Sequence, residues 1–166
     1  MADLVSDAVE NVQSAARNAD HPSRQAFTAL QEQWMLNWQG TDVEKFREFS
    51  NSLMPQLAAS NKDLADGVTI AWAMKPSAVL SGPLRDPVPL QRADVNQDHS
   101  CVRLSDLDQF LKLCQPSSSF QDCAMASLFK DQVASFKTVD GMISQSQLEQ
   151  RLAQLDANIR RAQAKQ

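Results

Sequence analysis

Four of the chain's seven prolines, Pro76, Pro83, Pro87 and Pro89, fall in one short stretch. Proline removes a backbone donor and biases the residue before it away from helix. Lys75–Gln91 therefore reads as an extended connector that divides the 166 residues in two. On both sides of it, apolar residues recur every three or four positions, the spacing of one helix face. Gly occurs four times, Tyr is absent and β-branched runs are rare, which argues against a sheet-rich fold. The expected architecture is mainly α, with a helical bundle over 1–75, a Pro-rich connector over 76–91 and a second helical region over 92–166. A hydrophobic content of 43% is enough for one domain or two small ones to bury a core.

The N-terminal part predicts four helices. Asp3–Ala16 carries Val5, Val9 and Val12 on one stripe. His21-Pro22-Ser23 interrupts it, with Ser23 as the expected cap of a second helix that aligns Phe27, Leu30, Trp34 and Trp38. After Gly40, Thr41–Glu44 forms a capping box for a third helix bearing Phe46, Phe49, Leu53 and Leu57, which Pro55 should kink or end early. A fourth helix is expected from about Asp63 to Met74, with Leu64, Val68 and Trp72 inward and Gly67 as its weak point. At this spacing the tryptophans and phenylalanines read as core rather than as a ligand pocket.

Beyond the connector, Ala93–Cys114 is the stretch that suggests a chemistry. Asp94, Asn96 and Asp98 alternate, so three oxygen-bearing side chains can converge inside a tight loop. Ser100 adds a backbone carbonyl, and Asp106 opens an apolar repeat through Leu107, Phe110 and Leu111. Calcium takes six to eight oxygens, and loops that bind it supply ligands from positions 1, 3, 5, 7 and 12. The pattern resembles the EF-hand superfamily, and in particular the loop-helix repeats of dockerins. A fainter copy follows in Val139–Leu152, where Ile143, Gln147, Leu148 and Leu152 stand at the places of Val102, Asp106, Leu107 and Leu111. The resemblance implies a C-terminal pair of EF-hand-like loop-helix units, with Asp94, Asn96, Asp98, Ser100 and Asp106 as the ligands of one Ca²⁺. His99 stands where glycine is usual, and Asp106 comes one residue late, so binding should be weak, with Kd about 10⁻⁴–10⁻³ M. The second loop keeps one carboxylate, Asp140, and should not hold a cation.

The remaining features set the function class. The net charge of −4 disfavours binding to nucleic acid or to an anionic membrane. Arg160, Arg161 and Lys165 form the one basic cluster, at the C-terminal end of a helix whose dipole they complement. No phosphate loop or nucleophile-base pair is present, and there are only two His. The expectation is a non-enzymatic binding or adaptor protein. Pairs of EF-hands present an apolar groove to a helical peptide, and here Phe110, Leu111, Leu148 and Leu152 would line it. Leu148, Leu152, Leu155 and Ile159 also form an a/d stripe, which can pack internally, contact a partner protein or join a second copy. The alternative function is a metal-independent helical interaction protein, such as a chaperone, scaffold or secreted effector, using that stripe.

The acidic N-terminus lacks the pattern of a secretory signal, which predicts a cytoplasmic protein unless it leaves by a signal-independent route. Cys101, Cys114 and Cys123 then read as buried thiols. Two other readings are a zinc site with His99, and a disulfide between Cys114 and Cys123, which needs an oxidising location.

Overall fold

The computed structural model describes residues 2–39, 43–74, 102–114, 121–138 and 140–164. Its elements are α1 (Ala2–Ala16), α2 (Pro22–Gln39), α3 (Val43–Ser60), α4 (Lys62–Ala73), β1 (Val102–Arg103), α5 (Leu104–Leu113), α6 (Gln121–Gln132), a 3₁₀ turn (Val133–Ser135), β2 (Met142–Ile143) and α7 (Gln145–Ala164). The protein is mainly α, and the two short strands form one antiparallel pair. None of the described helices is long and apolar enough to cross a membrane.

Helix α4 lies at the centre. Every residue from Leu64 to Ala73 is buried, so its one-sided amphipathic reading was too narrow. A helix that is apolar all round has to be covered all round. Helices α2 and α3 cover it from the N-terminal part, and α6 and α7 from the C-terminal part, while α1 packs on α2 and α3. Trp72 of α4 meets the edge of Phe129 of α6, with ring centroids 6.4 Å apart. The chain on either side of the connector therefore shares one apolar core rather than holding two. The connector itself, 76–91, lies outside the described residues. Trp34 and Trp72 are core, as their spacing implies, and nothing about them forms a separate aromatic site.

Helix ends follow local chemistry, with three departures from expectation. Asn61 caps α4, accepting a hydrogen bond from the Leu64 N–H at 3.1 Å, so the helix starts a little earlier than the Asp63 expected. Pro55 neither ends nor shortens α3, which runs on to Ser60. Asn51, whose carbonyl loses its donor to Pro55, and Pro55 itself are both exposed, so water can meet the orphaned acceptor. Helix α2 begins at Pro22, a favoured first position because its missing N–H is not needed there. Ser23 is consequently inside the helix and buried, and it does not serve as the cap.

Ser23 has a different task. Its backbone N–H donates to Asp156 Oδ1 of α7 at 3.0 Å, a buried contact between the two ends of the chain. Two further side chains of α7 reach the same turn. Arg160 donates to the Asp20 carbonyl at 2.7 Å, and Gln163 Nε2 donates to the Ala16 carbonyl at 3.1 Å. Positions 156, 160 and 163 share one helix face, so α7 grips the α1–α2 turn in addition to covering α4. The turn offers those carbonyls because α1 stops at Ala16 and Asn18 takes a left-handed φ of 58°.

Gly67 is a point of contact rather than a weak point. A Cβ there would lie 1.9 Å from Ser23 Oγ and 2.8 Å from Ser23 Cβ. The hydroxyl could rotate away, but the Cβ could not, so α2 approaches α4 closely only because residue 67 lacks a side chain. Gly67→Ala should therefore destabilise the protein, because overpacking costs about 1–3 kcal/mol against about 1 kcal/mol gained in helix propensity. Denaturant melts should show the loss, and Ser23→Gly in the same chain should recover part of it. A more stable Gly67→Ala single variant would refute the close approach. Leu152→Ala removes a buried side chain and should cost about 2–5 kcal/mol in the same assay, and an unchanged midpoint would remove Leu152 from the core.

Candidate functional site

The loop-helix units meet at β1 and β2. Val102 pairs with Ile143 and Arg103 with Met142, antiparallel. Val102 and Ile143 are one of the four pairs that the internal alignment places at equivalent positions, and both are buried. A helix leaves each strand at once: α5 at Leu104 and α7 at Gln145. The Leu104 N–H donates to the Gly141 carbonyl at 2.8 Å, which ties the start of α5 to the second loop. Asp140 and Gly141 both take positive φ, 53° and 72°, the backbone turn that glycine permits and aspartate tolerates.

Of the five residues expected to hold Ca²⁺, Asp94, Asn96, Asp98 and Ser100 lie outside the described residues. Asp106 is described, in the first turn of α5, and is buried. Among the described residues, no three His, Cys, Asp or Glu side chains gather as a cation site would need.

The second loop is bridged by Gln147, which stands at the position that the EF-hand resemblance gives to the last ligand. Its Nε2 donates across the loop to the Lys137 carbonyl at 2.5 Å, and its Oε1 accepts from the Ser144 N–H at 2.9 Å. The Gln147 N–H in turn donates to Ser144 Oγ at 3.2 Å, completing a capping box at the start of α7. One amide thus joins the start of the loop to the helix that leaves it. A carboxylate needs a metal to make that link, because it has no proton to give the Lys137 carbonyl.

The expected partner surface is not a surface. Leu148, Leu152, Leu155 and Ile159 are all buried, as is Phe110, and Leu111 is half-buried against the same core. The physical reason is α4, whose apolar far side needs the cover that the leucine stripe of α7 provides. These residues are corrected from partner contacts to core. Among the described residues, the large apolar side chains that remain exposed are elsewhere: Leu4, Met35 and Leu36 of the N-terminal helices, and Leu113 at the end of α5.

Of the readings offered for the cysteines, the structure has the disulfide rather than the buried thiols. Cys114 and Cys123 form a disulfide, with Cα atoms 5.9 Å apart. Their sulfurs are therefore neither buried thiols nor thiolate ligands, and the zinc reading with His99 and Cys101, both outside the described residues, loses two of its four ligands. Asp156, Gly67 and Ser23, which organise the fold, were not singled out for these roles by pattern. The available sign was the polar spacing of Asp156, Arg160 and Gln163 beside an apolar stripe, which is common on solvated helices.

Compared with known proteins, the chain matches no family model, no curated protein and no solved structure.

Replacing Gln147 tests the bridge it makes. Gln147→Ala removes the cap and the bridge to Lys137 together and should cost about 1–2 kcal/mol in urea melts. Gln147→Glu should lose part of this even though it keeps an acceptor for Ser144. A Glu variant as stable as the original would show that the donated hydrogen bond contributes nothing.

Proposed function

We propose that this chain is a non-enzymatic protein-binding or adaptor protein. Its C-terminal half is a degenerate EF-hand-like pair that works as a rigid support, with weak calcium capacity confined to the Asp94–Asp106 loop. The observation that carries the reading is the register of the strand pair, Val102 opposite Ile143. Two loop-helix units that match in sequence and pair at the matching residue are what such a duplication implies. Burial of the leucine stripe then assigns this half a structural task. Its helices α6 and α7 cover α4, which comes from the same chain. Contact with a partner protein or helical peptide falls on surfaces outside that stripe.

Gln147 supports the second reading, a helical interaction protein that needs no metal, because it bridges one loop by hydrogen bonds. The Cys114–Cys123 disulfide favours an oxidising compartment over the cytoplasm for either reading.

Calcium distinguishes the two. Without a cation, Asp94, Asp98 and Asp106 would crowd like charges into one loop, and a bound cation would add stability as RT ln(1 + [L]/Kd). With Kd about 10⁻⁴–10⁻³ M, millimolar Ca²⁺ should contribute about 0.4–1.4 kcal/mol and raise the melting temperature by a few degrees. Asp94→Ala with Asp98→Ala should abolish that response and leave the protein folded. A melt indifferent to Ca²⁺ up to about 10 mM, well above this Kd range, would leave the metal-independent reading.

A further inference from the structure

Among the described residues, helix α5 packs on few elements. It has ten residues, below the length at which an isolated helix is stable in water. Its buried residues are Asp106, Leu107 and Phe110, and it packs chiefly on α6 and β1 rather than on the central helix α4. At its N-terminal end the described attachment is the two-residue strand pair with β2 and the Leu104 N–H bond to the Gly141 carbonyl. Along its length an ion pair, Lys130 Nζ to Asp108 Oδ1 at 2.7 Å, is about half exposed on both sides. Exposed pairs of this kind contribute little. At its C-terminal end Cys114 stands at the cap position and is bonded to Cys123, which lies in the first turn of α6. The disulfide is thus the one covalent clamp between α5 and α6, and both cysteines are only half-buried, within reach of a small reductant.

We propose that the Cys114–Cys123 disulfide is a redox-operated latch on β1 and α5. A dithiol is the reductant. One of its thiolates attacks one protein sulfur, the protein S–S bond breaks, and a mixed disulfide forms with release of the other cysteine as a thiolate that takes up a proton. The second thiol of the reagent then displaces the first cysteine, leaving two protein thiols and an oxidised dithiol, a transfer of two electrons and two protons. In the oxidised state α5 is held on α6. In the reduced state β1 and α5 come away together, uncovering Leu107, Phe110 and the face of α6 beneath them, while α1–α4 and α7 keep their own core. The sequence separation of nine sets the size of the effect. Closing a loop of that size restricts the open state by roughly a hundredfold, so reduction should raise the population of the detached state by about that factor.

The test is hydrogen exchange of the full chain with and without dithiothreitol, read by mass spectrometry. Alkylation should show two more reactive thiols after reduction. Peptides covering 102–114 should then exchange roughly a hundredfold faster, while those covering 64–73 and 148–159 stay protected. Cys114→Ser with Cys123→Ser should show the fast pattern in either condition. Cys101→Ser should retain the response to dithiothreitol, which excludes the third cysteine as its source. Unchanged protection of 102–114 after confirmed reduction would overturn the latch. So would loss of protection in all helices together, which would make the disulfide a staple of the whole fold.

Discussion

The structure depends on a single crossing, where Gly67 of α4 meets Ser23 at the start of α2 and Asp156 of α7 accepts the Ser23 N–H. Three helices from distant parts of the chain share that point. The absence of a side chain at 67 sets how closely α2 can lie on α4. The carboxylate at 156 satisfies a backbone donor that would otherwise be buried beside it, and an unmet buried donor costs about 1–3 kcal/mol. The apolar core can pack as it does only because this polar contact is met inside it.

Most of the helices can be read from the chain, because their apolar residues repeat at helical spacing and their ends carry recognisable caps. The box at Ser144 and Gln147 is legible as a pattern and forms as such. One pair of residues that the internal alignment equates, Val102 and Ile143, also pairs across the strands. What a covered face packs against is not legible. The stripe from Leu148 to Ile159 has the same spacing whether it meets α4 or a separate protein, and periodicity carries no record of the partner. Glycine is ambiguous for a similar reason. At Gly67 the helix-weakening property and the close-contact property belong to the same missing atoms.

The candidate site is less legible than the fold. Asp94, Asn96 and Asp98 show their chemistry in sequence, but chemistry in a loop becomes a site only through geometry. The second loop illustrates the difference. Gln147 reads in sequence as the loss of a ligand, and in the structure its amide joins the Lys137 carbonyl to the start of α7. The sulfurs behave likewise: the spacing of Cys114 and Cys123 allows a disulfide, and whether it forms depends on where α5 ends and α6 begins.

The grip of α7 on the α1–α2 turn spans sequence separations of 133 to 147 residues. During synthesis the first four helices leave the ribosome well before the residues that complete them. Until Asp156 emerges, the Ser23 N–H lacks its acceptor, and the far side of α4 has no apolar cover. Until α7 follows, the N-terminal helices therefore form a nascent intermediate with an uncovered apolar flank. A chain cut short before α7 would leave that face of α4 and the Ser23 N–H without the partners they have here.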